Sequence, residues 1–272
     1  MKTIVITGGT DGIGAALAVT YRRRGDNVVI VGRDAAKGVE VLDAAGDVGG
    51  EGLVVPADLS LIGENDRVVK EIKAKFPTVD ALVLCARYFN SRRTVTADGF
   101  EHTFALFYLS RFLLGHGLAD TLAETSSPVI MNVAGPGPNP VEIQWDDLEL
   151  TRGYQGVNAL MQGGRLNDLL GVAFAERHPG SPIRYVLLHP GSTATSFAGE
   201  YDPPTAAQIE SMRRFGKPVA KSIVPIVAAL DDPPPEPLSA IVEGRRIGIE
   251  GGGFDRDKAL RLDRITKELL SR

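Results

Sequence analysis

The stretch Thr7-Gly8-Gly9-Thr10-Asp11-Gly12-Ile13-Gly14 constrains the fold more than any other part of this 272-residue chain. Before it, Lys2-Thr3-Ile4-Val5-Ile6-Thr7 is β-branched enough for a buried parallel strand. After it, Ile13, Leu17 and Tyr21 recur at helical spacing. Glycines at such a junction let the backbone turn tightly and approach a pyrophosphate, whose charge is then held at the helix N-terminus. A glycine pattern alone is a weak signal, and the strand before and helix after make it a strong one.

Strand and helix signals alternate through the rest of the chain. Asn27–Gly32, Gly52–Ala57, Ala81–Ala86, Pro128–Val133, Ile183–His189 and Ser239–Glu243 read as further strands. Helices are expected after Asp34, a natural N-cap, through Leu42, after Asp58-Leu59-Ser60 up to Phe76, from about Phe100 to Ala123, over Asn158–His178 and over Ser222–Leu230. This order predicts one α/β domain over residues 1–272, a doubly wound parallel sheet of about seven strands with helices on both faces. The segment from Ser192 to Lys217 reads as a loop with one short helix, placed to cover a substrate.

Bulk properties narrow the function. A net charge of -4 with no basic run argues against nucleic acid. Cys85 is the single cysteine, so neither a disulfide framework nor a multi-cysteine metal site is available. No apolar run reaches membrane-spanning length and the chain enters its first strand at once, so a soluble, cytoplasmic protein is expected.

The glycine segment, Asp58-Leu59-Ser60 and His189-Pro190-Gly191, at these separations, resemble the short-chain dehydrogenase/reductase superfamily. The likeness runs over essentially the whole chain and is closest to the retinol-dehydrogenase-like branch, through Asp98–Phe104, Gln144–Leu150 and Gly244-Arg245-Arg246. It implies a Rossmann-type fold, a bound nicotinamide cofactor and a pocket at the carboxyl ends of the strands. The positions it assigns to the cofactor are Gly8, Thr10, Asp11, Gly12, Ile13, Gly14, Arg33, Asp58, Leu59, Cys85, Ala86, Arg165, Pro190, Gly191, Thr193 and Thr195. At the end of the second strand, where a carboxylate would select NAD, the chain has Gly32-Arg33, and an arginine can fork onto a 2′-phosphate. NADP(H) is therefore the expected cofactor. The resemblance also implies a homodimer or homotetramer, paired through the catalytic helix and its neighbour.

Family members use a tyrosine, a lysine one turn later, a serine and an asparagine. Counting from both flanking strands places Met161 at the tyrosine and Arg165 at the lysine position. Gly135 stands at the serine position and Phe107 at the asparagine position, and the usual Asn-Ala-Gly after the fourth strand is Cys85-Ala86-Arg87. Methionine has no ionisable proton and arginine does not release its own, so the usual acid is gone. Arg165 could still bind the ribose, a carboxylate or an oxyanion. Tyr154 and Tyr108 are the first candidates for a replacement acid, with Tyr88 and His189 behind them. Gly163 and Gly164 suit close helix packing or an enlarged pocket equally well.

Three functions follow. One is a non-redox cyclisation, isomerisation or elimination on a small apolar metabolite of natural-product type, with NADP(H) structural. A second is an NADPH-dependent carbonyl or alkene reductase with a non-standard proton donor. A third is a non-catalytic NADP-binding protein.

Overall fold

The computed structural model describes every residue except Asp47, Phe89 and Arg272. Eight strands form one sheet in the order β3-β2-β1-β4-β5-β6-β7-β8. They are β1 (Thr3–Thr7), β2 (Asn27–Gly32), β3 (Gly52–Pro56), β4 (Ala81–Leu84), β5 (Val129–Val133), β6 (Arg184–His189), β7 (Leu238–Val242) and β8 (Arg245–Ile247). Seven run parallel, and β8 adds an antiparallel edge that the sequence reading had not anticipated. Its short register, Ala240 to Ile247 through Val242 to Arg245, puts two exposed arginines on the sheet's open edge. Charged side chains there discourage pairing with another strand.

Helices α1 (Gly12–Arg23), α2 (Ala35–Asp43) and α3 (Ile62–Lys75) follow the first three strands. Asp34 caps α2 as expected, accepting from Lys37 N–H at 3.0 Å. The span after Phe100 is not one helix. It divides into α4 (His102–Phe104), a π turn over Ala105–Leu109, α5 (Ser110–Gly117) and α6 (Ala119–Ala123). A π turn displaces carbonyls from the regular ladder, and the Phe107 carbonyl is taken instead by Asn167 Nδ2 at 2.8 Å. Then come α7 (Gly156–Arg177), α8 (Pro203–Phe215), α9 (Val219–Ser222), α10 (Val224–Asp231) and α11 (Arg256–Leu270).

Two apolar layers enclose the sheet. On one face Val68, Phe104, Phe112, Leu166, Leu170 and Leu262 pack from α3, α4, α5, α7 and α11. On the other, Leu17, Tyr21, Ile226 and Leu230 pack from α1 and α10. Strands with both faces covered need near-continuous apolar sequence, and β1, Thr-Ile-Val-Ile-Thr, is buried at all five positions.

Helix α11 lies against α7 and reaches the π turn beyond it. Tyr108 and Thr266 share a buried hydrogen bond of 2.6 Å, Arg177 pairs with the buried Asp263 at 2.7 Å, and Arg261 stacks over Trp145 at 4.4 Å. One face of α7, a helix through which pairing with a second copy was expected, is thus covered by the chain's own last helix. No helix among the described residues is long and apolar enough to cross a membrane.

Candidate functional site

Chain order reverses between β1 and β4, since β1 is flanked by β2 on one side and β4 on the other. The crevice outside the carboxyl ends of those strands is where such sheets take ligands. The glycine loop opens onto it. Gly8 and Gly12 have φ of +65° and +53°, which only glycine adopts without strain, and a Cβ on Gly14 would collide with the Gly8 carbonyl oxygen. Helix α1 therefore starts directly against the strand end, with the half-buried Ile13 packed against the core and Asp11 accepting from Gly12 N–H at 2.6 Å. Thr10 fills the space over Gly32, where a Cβ would meet its methyl at 2.9 Å.

The other cofactor positions surround this loop. Arg33 is exposed, with its guanidinium 5.0 Å from the Tyr88 ring. Asp58 accepts from both the N–H and the hydroxyl of Ser60, and Leu59 is buried beneath. Ala86 lies against Gly8, donating its N–H to Thr7 Oγ1 at 3.2 Å, and Cys85 sits between Ala86 and β4 with its thiol pushed up to about 12 by burial. Pro190 is buried, Gly191 has a φ of +90°, Thr193 bonds the Gly191 carbonyl and Ser222, and the Thr195 methyl rests where a Cβ on Gly12 would go. This cradle of close-approach glycines, a helix N-terminus and a guanidinium on an open edge fits a dinucleotide. Such a cofactor would rest its pyrophosphate on Gly12–Gly14 and its 2′-phosphate on Arg33.

The proton-handling positions are different. Phe107 is buried in the π turn, and Gly163 lets it pack tightly, because a Cβ there would lie 2.6 Å from the phenyl ring. Of the two readings of the paired glycines, close packing therefore holds for Gly163. The ideal Cβ of Gly164 would make ordinary van der Waals contact with Asn139 and the Gly135 carbonyl, at 3.8 and 3.9 Å, and only at the exposed Gly135 does nothing lie within 4 Å. Met161 contributes its carbonyl, which accepts from Asn139 at 2.8 Å.

Three expectations are corrected here. Arg165 does not point along the strand ends towards a ribose. It donates to the Gly252 carbonyl at 3.0 Å, turned towards the loop between β8 and α11. Tyr108 is buried under α11, hydrogen-bonded to Thr266, with burial raising its pKa, so it cannot serve a substrate in the cleft. Tyr154 donates to Glu101 Oε1 at 3.1 Å and to the Asn90 carbonyl at 3.4 Å. Burial and then the Glu101 charge raise its pKa, which opposes phenolate formation. Replacing Tyr108 with phenylalanine should leave turnover unchanged and lower unfolding stability by about 1 kcal/mol, measured in urea.

Two buried polar groups were missed. Asp168 faces no solvent. One carboxyl oxygen accepts weakly from Gly137 N–H at 3.3 Å, the other has no partner, and burial pushes its pKa up to about 7. Its one signal in the sequence is an acidic residue beside Leu166, Leu169 and Leu170 on a core helix. Arg111, 2% exposed, donates to Asn132 Oδ1, to the Val133 carbonyl at 3.0 Å and to the Ala86 carbonyl at 3.2 Å, and stacks on Phe107 at 4.5 Å. Among the described residues no carboxylate pairs with it, and burial lowers its pKa to about 9.

The family model for short chain dehydrogenases matches residues 2–139. The chain belongs to the short-chain dehydrogenase family. Within it, mouse retinol dehydrogenase 14 is 28% identical over 76% of this chain and 66% of its own length. Human retinol dehydrogenase 13 is 30% identical over 71% of this chain and 60% of its own. The matched region thus spans less than two thirds of these relatives. An uncharacterised Mycobacterium paratuberculosis protein superposes with a TM-score of 0.76 at 25% identity, covering 99% of this chain and 93% of that one. A short-chain dehydrogenase from Sphingobium yanoikuyae, solved in complex with NADPH, shares the fold with a TM-score of 0.66 at 20% identity over 100% of this chain and 96% of that one.

Proposed function

We propose that this short-chain dehydrogenase-family protein is a small-molecule enzyme that binds NADP(H) and does not run the usual proton relay. One observation carries the reading: the glycine loop keeps the close approaches that suit a pyrophosphate, while Phe107, Gly135, Met161 and Arg165 hold no proton to exchange in the cleft. NADP(H), where bound, would supply a hydride or, unreacted, a shaped wall to the pocket. The protein's own residues position a substrate at the open space over Gly135. Orientation and exclusion of water can accelerate a cyclisation, isomerisation or elimination without an acid–base pair. The segment at Glu200 is tied to the chain after β4, Ser91 N–H to the Glu200 carbonyl and Glu200 N–H to Asn90 Oδ1, both at 2.9 Å. The test is turnover of candidate substrates followed by mass spectrometry alongside NADPH absorbance. Product without NADPH consumption supports the reading, and stoichiometric oxidation of NADPH sinks it.

The names of the relatives favour a second reading, an NADPH-dependent reductase whose proton comes from solvent or substrate. It predicts that stoichiometric oxidation, with Tyr154→Phe losing less than about ten-fold in rate because that hydroxyl is already held by Glu101.

For the cofactor, Arg33→Ala should weaken NADPH about ten-fold or more and NADH less than about three-fold, read by fluorescence titration. An equal loss for both would remove the 2′-phosphate assignment. For assembly, α11 already covers one face of α7, so the chain is proposed to be a monomer. Sedimentation of the purified protein at micromolar concentration checks this.

A further inference from the structure

Tyr88 lies four residues beyond the end of β4 and is half-buried, and Arg33 directly follows β2. Strands β2 and β4 are the two neighbours of β1, so these side chains come from either side of the strand that feeds the glycine loop. They meet there. The Arg33 guanidinium carbon stands 5.0 Å from the centre of the Tyr88 ring, inside the range at which a cation is drawn to an aromatic face. The ring is itself braced by His102, at the start of α4, in an edge contact at 5.3 Å and 62°. His102 is tied down through its backbone N–H to the Thr94 carbonyl at 3.0 Å. Burial lowers the pKa of its imidazole, so at neutral pH it adds no charge beside the arginine.

The Arg33 fork is otherwise unclaimed. Among the described residues no carboxylate pairs with it: Asp34, next in the chain, accepts from the Lys37 N–H at 3.0 Å, and Asp58 accepts from Ser60. Arg24 makes the contrast. It too stands over a ring, Tyr21 at 4.8 Å, but its donors go to both Asp231 oxygens, at 2.8 and 2.9 Å. Arg33 is steadied by a ring and left with its donors unspent. An exposed arginine loses rotamer freedom when it grips a phosphate, and a side chain steadied beforehand loses less.

We propose that Tyr88 is a positioning residue for cofactor selection, its ring holding the Arg33 guanidinium ready for a 2′-phosphate, so that the preference for NADP(H) over NAD(H) depends on both residues. This rests on the assignment of Arg33 to the 2′-phosphate. It also gives a use to a tyrosine that the sequence offers only as a remote candidate acid. The ring is what matters, and the hydroxyl takes no part.

The experiment is fluorescence titration of the full chain with NADPH and NADH, and calorimetry with adenosine 2′,5′-bisphosphate and 5′-AMP, which differ only in the 2′-phosphate. Tyr88→Leu should lower the NADPH-to-NADH affinity ratio about three-fold or more, with NADH itself changed less than about two-fold. The bisphosphate should lose the same factor against AMP. Tyr88→Phe should keep both ratios within about two-fold, because the aromatic face remains. In an Arg33→Ala background, Tyr88→Leu should move neither ratio further. The proposal is overturned by ratios unchanged in Tyr88→Leu, or by equal weakening of both members of each pair, which would make the ring a wall for the adenosine. It is also overturned if Tyr88→Phe loses as much as Tyr88→Leu, or if the loss persists without Arg33. Equal loss of NADPH and NADH in Arg33→Ala removes the 2′-phosphate assignment and the proposal with it. A selective loss in Arg33→Ala with none in Tyr88→Leu removes the proposal alone.

Discussion

Asp168→Asn should stabilise the protein above neutrality and do nothing for it in acid. The folded pKa of this carboxyl is raised to about 7 from 3.8 by burial. Below about pH 4 it is protonated in both folded and unfolded chains and carries no penalty. Between there and about pH 7 the unfolded chain releases the proton while the folded chain keeps it, so stability falls as pH rises. Above about pH 7 the full penalty is present. At about 1.4 kcal/mol per unit, a shift of this size amounts to about 4 kcal/mol at most, and about 2 kcal/mol after relaxation is the working figure. Asparagine keeps an oxygen for the Gly137 N–H and has no charge to bury. Urea unfolding of both proteins at about pH 4 and about pH 8 gives the difference directly. His116, whose pKa burial lowers to about 4, makes stability rise with pH over part of the same range. That contribution is common to both proteins and cancels. An equal effect of the substitution at the two pH values would mean the carboxyl is not held protonated.

Gly14→Ala should be among the most damaging single methyl additions in the chain. Its Cβ would meet the Gly8 carbonyl oxygen and carbon and Gly9 Cα, all backbone atoms that cannot rotate aside. Either α1 lifts away from the sheet, opening the layer of Leu17, Ala18 and Tyr21, or the glycine loop distorts. Overpacking of a tight site costs about 1–3 kcal/mol, with backbone collisions at or above the top of that range. Thermal unfolding should shift down by several degrees, with NADPH binding lost or weakened about a hundred-fold. The comparison is Gly63→Ala, since that glycine has nothing within 4 Å and should change neither measurement.

The strands, their parallel sheet and the glycine turn after β1 were legible because period and glycine placement act locally. Strands such as Asn27–Gly32 and caps such as Asp34 announce themselves within a few residues. The tail carries the same kind of signal: Asp255 caps a helix whose Ala259, Leu262 and Thr266 are buried at helical spacing. Side-chain direction was not legible. Arg165 has the spacing of a ribose-binding residue, yet Gly251, Gly252 and Gly253 offer it a carbonyl that no local pattern foretells. Tyr108 looked catalytic from its place beside Phe107, and only the folding back of α11 decides that it faces away. Arg111 reads as one more helix arginine, because its burial depends on Asn132 and Ala86 from two other strand ends.

That folding back of α11 has a consequence for how the protein can be used. The turn holding Phe107 and the helix holding Gly164 are braced by a segment of the same chain, at an effective concentration fixed by covalent connection. Dilution cannot strip the brace away. Specific activity should therefore stay constant from micromolar to nanomolar protein, whereas loss of residues 255–272 should expose Tyr108 and slacken the crevice from behind.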